Sequence, residues 1–247
     1  MTIITSKSEI RKIRDSGKVI KDIFVWLENA ICAGVATGEL DRKIETIIRK
    51  SGGSPAFKGY KGFPATICAS INNVVVHGIP SDKNVLKDGD IISVDVGVRK
   101  NGYFTDAART FGVGDLSDEA RDLIRVTKKC LAEGVRFAVA GNRVSDISNA
   151  IEKDVRKSAY KEVRSFVGHG VGKDLHEPPE VPNWGRKGEG PVLKEGLILA
   201  IEPMVNVGVR EVKVMKDGWT AVTEDGKLSA HFEDTIIVGK ERAETLT

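Results

Sequence analysis

A mixed α/β (α+β) chain built as two half-domains of like design is expected from three observations. The order long helix, short helix, then strands starts twice along the sequence. A strand followed by His-x-x-Pro also occurs twice, as His77 to Pro80 and His176 to Pro179, 99 residues apart. No linker-like segment separates the two parts, so a single domain over 1–247 is predicted, with halves of about 1–115 and 116–247.

Taken in order, Ser6-x-x-Glu9 is a capping box, and Ile13, Ile20, Ile23, Leu27 and Ile31 follow at helical spacing, which predicts a first helix to about Ile31. A shorter helix carries Leu40, Ile44, Ile47 and Ile48 and stops at Gly52-Gly53. The loop AFKGYKGFPAT then shows Phe57, Tyr60 and Phe63 just before the strand ICASINNVVV. Such a loop either walls an apolar pocket, with Cys68 beside it, or packs as ordinary core. His77 closes that strand and opens a Pro turn, a position from which a side chain projects beyond the sheet end.

Ile91 to Thr110 reads as a β-hairpin turning at Asn101-Gly102. Ile92, Val94, Val96 and Val98 share one apolar face, and Asp95 lies on the other with Ile91, Ser93 and Gly97. On the return strand Asp106 shares a face with Phe104, Ala108 and Thr110. A loop of two or four residues puts Asp95 and Asp106 on one side, opposite or diagonal, whereas a three-residue loop separates them. Two carboxylates held that close need a shared proton, a basic partner or a cation. Two solvent-facing aspartates on an edge hairpin are the alternative.

Ser117 caps a third helix, DEARDLIRVTKKCLAEGVRFAVA, and VSDISNAIEKDVRKSA forms a fourth. In VGHGVGKDLHEPPE the glycine spacing is wrong for a dinucleotide loop, and the prolines after His176-Glu177 break any zincin helix. What remains is His169 between glycines that admit a close approach of ligand or substrate, with His176 seven residues on. LILAIEPMV is an apolar strand holding Glu202, a carboxylate that must be paired, protonated or metal-bound at such a position. SAHFEDTIIVG places Glu233 at the head of the last strand.

Composition narrows the class. A net charge of +3, from 38 basic and 35 acidic residues, is too balanced to argue for nucleic-acid or membrane binding. No apolar run reaches membrane-spanning length and the start has no signal-peptide core, so a cytoplasmic location is expected. Three widely spaced cysteines, Cys32, Cys68 and Cys130, argue against a disulfide framework or a cysteine zinc site. The chemistry-bearing set is therefore Asp95, Asp106, His169, Glu202 and Glu233. Oxygen-rich donors with one nitrogen suit a pair of divalent ions bridged by shared carboxylates.

Through HGIP, SVDVG, the TDA segment, GHGVG with its following His, IEPM and the HFEDT segment, the chain resembles the type I methionine aminopeptidases over essentially its whole length. The resemblance implies the pita-bread fold, two pseudo-symmetric halves with a curved, mainly antiparallel sheet covered by helices. It makes Asp95 a chelating ligand of one ion, Asp106 and Glu233 bridging carboxylates, and His169 and Glu202 the rest of the second ion's shell. His77 and His176 match the family's two non-ligand histidines at the scissile amide, and Glu202 its proton-handling group. Tyr60, Phe63, Cys68, Leu175 and Trp219 fall where the family builds its methionine pocket, although several relatives carry an aromatic residue in place of Leu175. His231 is given no role.

The implied activity is removal of the initiator methionine from nascent proteins and peptides with a small second residue, by attack of a metal-bridging hydroxide. The metal is cobalt, manganese, iron or zinc, since these ligands accommodate each. A monomer with transient ribosome contact and no membrane partner is implied as well. The absence of an N-terminal zinc-binding segment and of a large insertion in the second half fits type I rather than type II. Proline-directed peptidases of the same fold, and relatives that keep the fold only to bind protein or RNA, are the competing readings.

Overall fold

The computed structural model describes residues 1–247. Its first part runs α1 (Lys7–Ala30), α2 (Thr37–Lys50), β1 (Ser54–Pro55), β2 (Ile67–Ile71), β3 (Val74–Val76), β4 (Ile91–Lys100) and β5 (Tyr103–Gly112). The second opens with α3 (Asp118–Phe137) and α4 (Val144–Val155), followed by β6 (Lys161–Glu162), β7 (Gly168–Gly170) and β8 (Glu177–Val181). It continues through β9 (Ile198–Ile201), β10 (Met204–Asn206), β11 (Val212–Val214), β12 (Ala221–Thr223), β13 (Ser229–His231), β14 (Asp234–Ile237) and β15 (Glu244–Thr245). All ladders between these strands are antiparallel, and they form four groups: β1-β4-β2 with β5 on β4, β13-β10-β6, β11-β12-β3, and β15-β14-β9-β7-β8. The mixed α/β, antiparallel class is as the sequence indicates.

Local chemistry explains the helices. Ser6 Oγ accepts the Glu9 N–H at 3.2 Å while the Ser6 N–H reaches back to Glu9 Oε2 at 3.4 Å, closing the capping box of α1. Ser117 Oγ accepts from the Ala120 N–H and starts α3. α4 stops at Val155, earlier than its periodicity suggests, because the Ser158 hydroxyl and N–H both turn back onto the Val155 carbonyl.

Each helix pair covers its own core. Ile20, Ile23 and Leu27 of α1 and Leu40, Ile44 and Ile48 of α2 pack on Ile92, Val94, Val96 and Val98 of β4. Leu123 and Cys130 of α3 and Ile147 and Ile151 of α4 pack on Leu199, Ile201 and Ile236 of β9 and β14. Burial of each large side chain contributes roughly 1.5–3 kcal/mol, which holds the helices more firmly than propensity alone. The β4 group and the β9–β14 group thus each have one face under helices. They join where β5 runs beside β14: the Glu233 N–H donates to the Ala108 carbonyl at 2.9 Å, and the Asp106 N–H to Thr235 Oγ1 at 3.0 Å.

Three strand expectations need correction. ICASINNVVV is not one strand: Asn72, at φ 53°, bends the chain so that β2 pairs with β4 while β3 joins β12 in another ladder. Asn72 fixes this bend by donating to Asp90 Oδ1 and accepting from the Ile91 N–H. LILAIEPMV is likewise two strands, β9 and β10, and Glu202-Pro203 is the break between them. Glu233 precedes β14 by one residue, and the short β15 follows, so β14 is not the last strand.

Candidate metal centre

The hairpin places the first two carboxylates. Asn101 and Gly102, both at positive φ, form the two-residue turn that joins Lys100 to Tyr103. In the resulting register Asp95 pairs with Ala108 and Asp106 with Gly97, so the two aspartates are diagonal neighbours on one face. Gly97 is needed there: a Cβ would lie 2.4 Å from Phe57 Cε1, in the ring that walls the cavity beside it. Glu233 is brought alongside by its N–H, which donates to the carbonyl of Ala108, two residues on from Asp106.

His169 comes from β7 and Glu202 from the β9–β10 break. The glycines around His169 are required by the sheet itself, a reason that the sequence alone does not show, and Gly168 also lines the cavity. A Cβ at Gly168 would meet the Ala200 carbonyl at 2.4 Å, and one at Gly170 the Pro178 carbonyl at 2.4 Å. Close strand packing is what requires them. His169 Nδ1 lies 2.9 Å from the Gly170 carbonyl, which can only accept, so Nδ1 carries the proton and Nε2 presents a lone pair. That Nε2 is 3.5 Å from Asp106 Oδ2 and 3.6 Å from Glu202 Oε1.

The electrostatics of this cluster are severe. Burial, followed by repulsion from neighbouring carboxylates, pushes Asp95, Glu202 and Glu233 well above the usual carboxylate range, and burial raises Asp106 to about 6. Desolvation lowers His169 to about 4, so it supplies no compensating charge at neutral pH. The residues fit a divalent cation on three further counts. One donor atom each from Asp106, His169 and Glu233 lies within 4.8 Å of the others. Asp95 Oδ1 is buried with no hydrogen-bond partner. The donor set, carboxylate oxygens with one imidazole nitrogen tied at its far side, is that of a hard-to-borderline metal with an oriented histidine.

All twelve residues singled out from sequence line one cavity of about 530 Å³. At one end Phe63, Cys68 and Leu175 form an apolar cluster with Ala56, Phe57 and Ala65, and Tyr60 and Trp219 pack against it. Trp219 meets Phe63 edge-on, with centroids 5.2 Å apart. His77, which burial makes less basic, stands edge-on to Phe166 at 5.4 Å and to Trp219 at 6.1 Å. His176 stacks on Tyr60, with Nδ1 2.9 Å from the tyrosine hydroxyl, and lies 4.2 Å from the His169 ring. Burial, then the neighbouring His169, brings His176 to about 4, so it is neutral at pH 7.

Sequence reasoning missed three contributors. Phe166 and Lys61 line the cavity, and nothing in their local pattern distinguishes them. His231 does carry a signal: it stands two residues before Glu233, the strand period, and its Nε2 is 3.7 Å from Glu202 Oε2.

Glu177, next to His176, serves the scaffold. Its Oε2 pairs with the Met1 ammonium at 2.9 Å, and Oε1 accepts from the Thr2 hydroxyl and from the Lys173 and Asp174 N–H groups at 2.7–3.0 Å. Burial alone would raise this carboxyl; the hydrogen bonds and the ammonium outweigh it and hold it below the usual range. Glu177→Gln is expected to cost about 2 kcal/mol by removing charge-assisted bonds, lowering Tm by roughly 4–8 °C. A thermal melt of the two proteins checks this, and an unchanged Tm contradicts it.

The family model for metallopeptidase family M24 matches residues 11–240. A methionine aminopeptidase of Clostridium acetobutylicum is 52% identical over 247 residues, covering 100% of this chain and 99% of that one. The crystal structure of a methionine aminopeptidase from Thermotoga maritima superposes with a TM-score of 0.97 at 42% identity, covering 100% of this chain and 99% of that chain. An Xaa-Pro dipeptidase from Bacillus anthracis is similar at a TM-score of 0.80 and 25% identity, and there 99% of this chain covers 62% of the longer one. The chain belongs to metallopeptidase family M24, and so to the hydrolases that use divalent metal.

Proposed function

We propose that this protein is a methionine aminopeptidase that removes the initiator methionine from nascent proteins and peptides with a small second residue. The observation that carries this reading is the junction of two unlike environments in one cavity: an apolar cluster of Phe63, Cys68 and Leu175, and the carboxylate–histidine cluster beside it. An unbranched thioether side chain among Tyr60, Phe63, Cys68, Leu175 and Trp219 sets the first peptide bond over the donors. The pocket binds by area and polarizability, which suits methionine better than a charged or β-branched residue.

In this reading Asp95 would hold one ion and His169 and Glu202 the other, with Asp106 and Glu233 as the carboxylates that would be shared between them. Two divalent ions, drawn from cobalt, manganese, iron or zinc, supply when bound an activated water and a Lewis acid at the carbonyl. The protein's own groups do the rest. His176, neutral and oriented by Tyr60, offers a hydrogen bond to the scissile carbonyl, and His77, beside Phe166 and Trp219, contacts the amide. Glu202 takes the proton released by the attacking water and returns it to the leaving amine, so one water is consumed and one peptide bond cleaved. Residues 1–247 then form a single catalytic domain whose halves, about 1–115 and 116–247, each contribute donors. This role sets the enzyme in the cytoplasm as a monomer that meets nascent chains in transient contact with the ribosome. In keeping with it, no helix is long and apolar enough to cross a membrane.

The test is a comparison of kcat/KM on Met-Ala-Ser and on Ala-Pro with the manganese-loaded protein. A preference of about 10²-fold for the methionyl peptide is expected from pocket fit. Preferential cleavage of Ala-Pro would move the assignment to the proline-directed branch, and failure to bind any divalent ion to a non-catalytic relative.

A further inference from the structure

The fourth histidine has no part in the scheme above, yet its surroundings are specific. His231 is 2% exposed, and its Nε2 is buried without a hydrogen-bond partner. An imidazole nitrogen so placed costs stability unless something it faces completes it. What it faces is Glu202. Oε2 of that carboxylate lies 3.7 Å from His231 Nε2, while Oε1 lies 3.6 Å from His169 Nε2. Glu202 is thus bracketed by two imidazoles, one to each oxygen.

The two rings cannot act alike. His169 commits its Nδ1 proton to the Gly170 carbonyl, so its Nε2 offers a lone pair and no hydrogen. Any proton donated to Glu202 from an imidazole must therefore come from His231. The backbone beneath His231 is fixed for the purpose. Thr110 Oγ1 accepts the His231 N–H and donates to the His231 carbonyl, both at 2.9 Å, and Ser93 bonds to the same hydroxyl at 2.8 Å. Residue 231 is in this way clamped to the hairpin that carries Asp95 and Asp106. Glu202 is held from its own side, its carbonyl accepting from Asn183 Nδ2 at 3.0 Å. The remaining gap is about 0.5 Å beyond an ordinary N–H···O distance, within reach of a small turn of the carboxylate about its soft terminal torsion.

We propose that His231 is a positioning residue: its Nε2–H donates to Glu202 Oε2, so that Oε1 alone is presented, beside His169 Nε2, as a donor to the second divalent ion. The inference rests on reading Glu202 as a ligand of that ion. A carboxylate steered in this way is preorganised for one metal oxygen instead of swinging between two, and loss of such an orienting partner weakens metal binding by 10–100-fold in comparable sites.

Two measurements on the full-length protein test this. In the first, the imidazole nitrogens of all four histidines are observed by NMR on the 15N-histidine-labelled chain loaded with diamagnetic zinc at neutral pH, where Glu202 is ionised as a ligand. His231 is expected as the Nε2–H tautomer and His169 as Nδ1–H; His231 found as Nδ1–H overturns the proposal. In the second, Mn²⁺ is titrated into wild type, His231→Leu, His231→Asn, His231→Gln and Glu202→Gln. The leucine and asparagine variants, which cannot reach Oε2 with an N–H, are expected to weaken one of the two bound ions by about 10–100-fold and leave the other within twofold. The longer glutamine amide is expected to restore binding to within about threefold. Two variants without a donor guard against one that fails to fold. Normal affinities in both of them, with Glu202→Gln still impaired, overturn the role of His231 alone; normal affinities in Glu202→Gln as well overturn the ligand reading and this inference with it. Equal weakening of both ions, or no rescue by glutamine, shows general distortion and also overturns it.

Discussion

Glu233→Gln is expected to lower kcat/KM on a Met-Ala-Ser peptide by about 10³-fold or more, the scale on which removing one preorganised charge acts in a water-poor site, while making the metal-free protein more stable. The two effects have one cause. Glu233 is buried among Asp95, Asp106 and Glu202, and its carboxyl is pushed far above the usual range first by desolvation and then by those neighbours. A neutral amide of the same shape removes that repulsion. Its backbone stays in place, because the N–H still bonds to Ala108 and the carbonyl still accepts from Arg109. What is lost is the charge proposed to bridge the two ions. Activity, bound metal and Tm measured on one preparation decide the matter. Activity and metal falling while the metal-free Tm rises or holds is the signature of a site that trades stability for charge. A Tm that falls in step with activity would assign Glu233 a structural role instead.

Much of this arrangement was legible in the sequence, and what was legible was local. Ser6-x-x-Glu9 and Ser117 announce helix starts because a cap is decided within four residues. Asn101-Gly102 announces the turn, and the turn length settles that Asp95 and Asp106 share a face, since strand period and register follow from it. The rest depended on partners far along the chain. The bend at Asn72 needs Asp90 and Ile91, and the break at Glu202 separates two ladders that the apolar run LILAIEPMV does not distinguish. The glycines beside His169 suggested room for a ligand; a second reason, the approach of Ala200 and Pro178 carbonyls from neighbouring strands, was not visible locally. His231 escaped because its one signal, a place two residues before Glu233, is the same whether a strand histidine fills a core or faces a carboxylate. The donor set itself stood out for the opposite reason: acidic residues inside apolar strands demand compensation wherever the chain takes them.

The gap in Tm between manganese-loaded and metal-free protein is expected to be small at pH 5 and to widen to roughly 5–10 °C by pH 8. Asp106 has an ordinary value of 3.8 and a folded value of about 6. A carboxyl raised in the folded state binds its proton better there, so its contribution, about 3 kcal/mol, is present below pH 3.8 and is lost as the pH rises through about 6. His169 and His176, lowered from 6.5 to about 4, act in the opposite sense: their contribution is present above 6.5 and is lost as the pH falls through about 4. Between pH 4 and 6.5 the two trends offset one another. Above 6.5 the histidines have nothing more to add, while Asp95, Glu202 and Glu233, raised well beyond the usual range, continue to destabilise the metal-free fold as they ionise. Metal binding runs the other way, because it requires those same groups deprotonated, so its affinity climbs with pH and adds about 2.7 kcal/mol at a hundredfold excess over Kd. Scanning calorimetry in manganese and in chelator at pH 5, 6.5 and 8 measures both curves. A gap that stays constant or narrows toward pH 8 would mean that the buried carboxylates are not where the ion binds, and Glu233→Gln should close most of the gap that wild type opens.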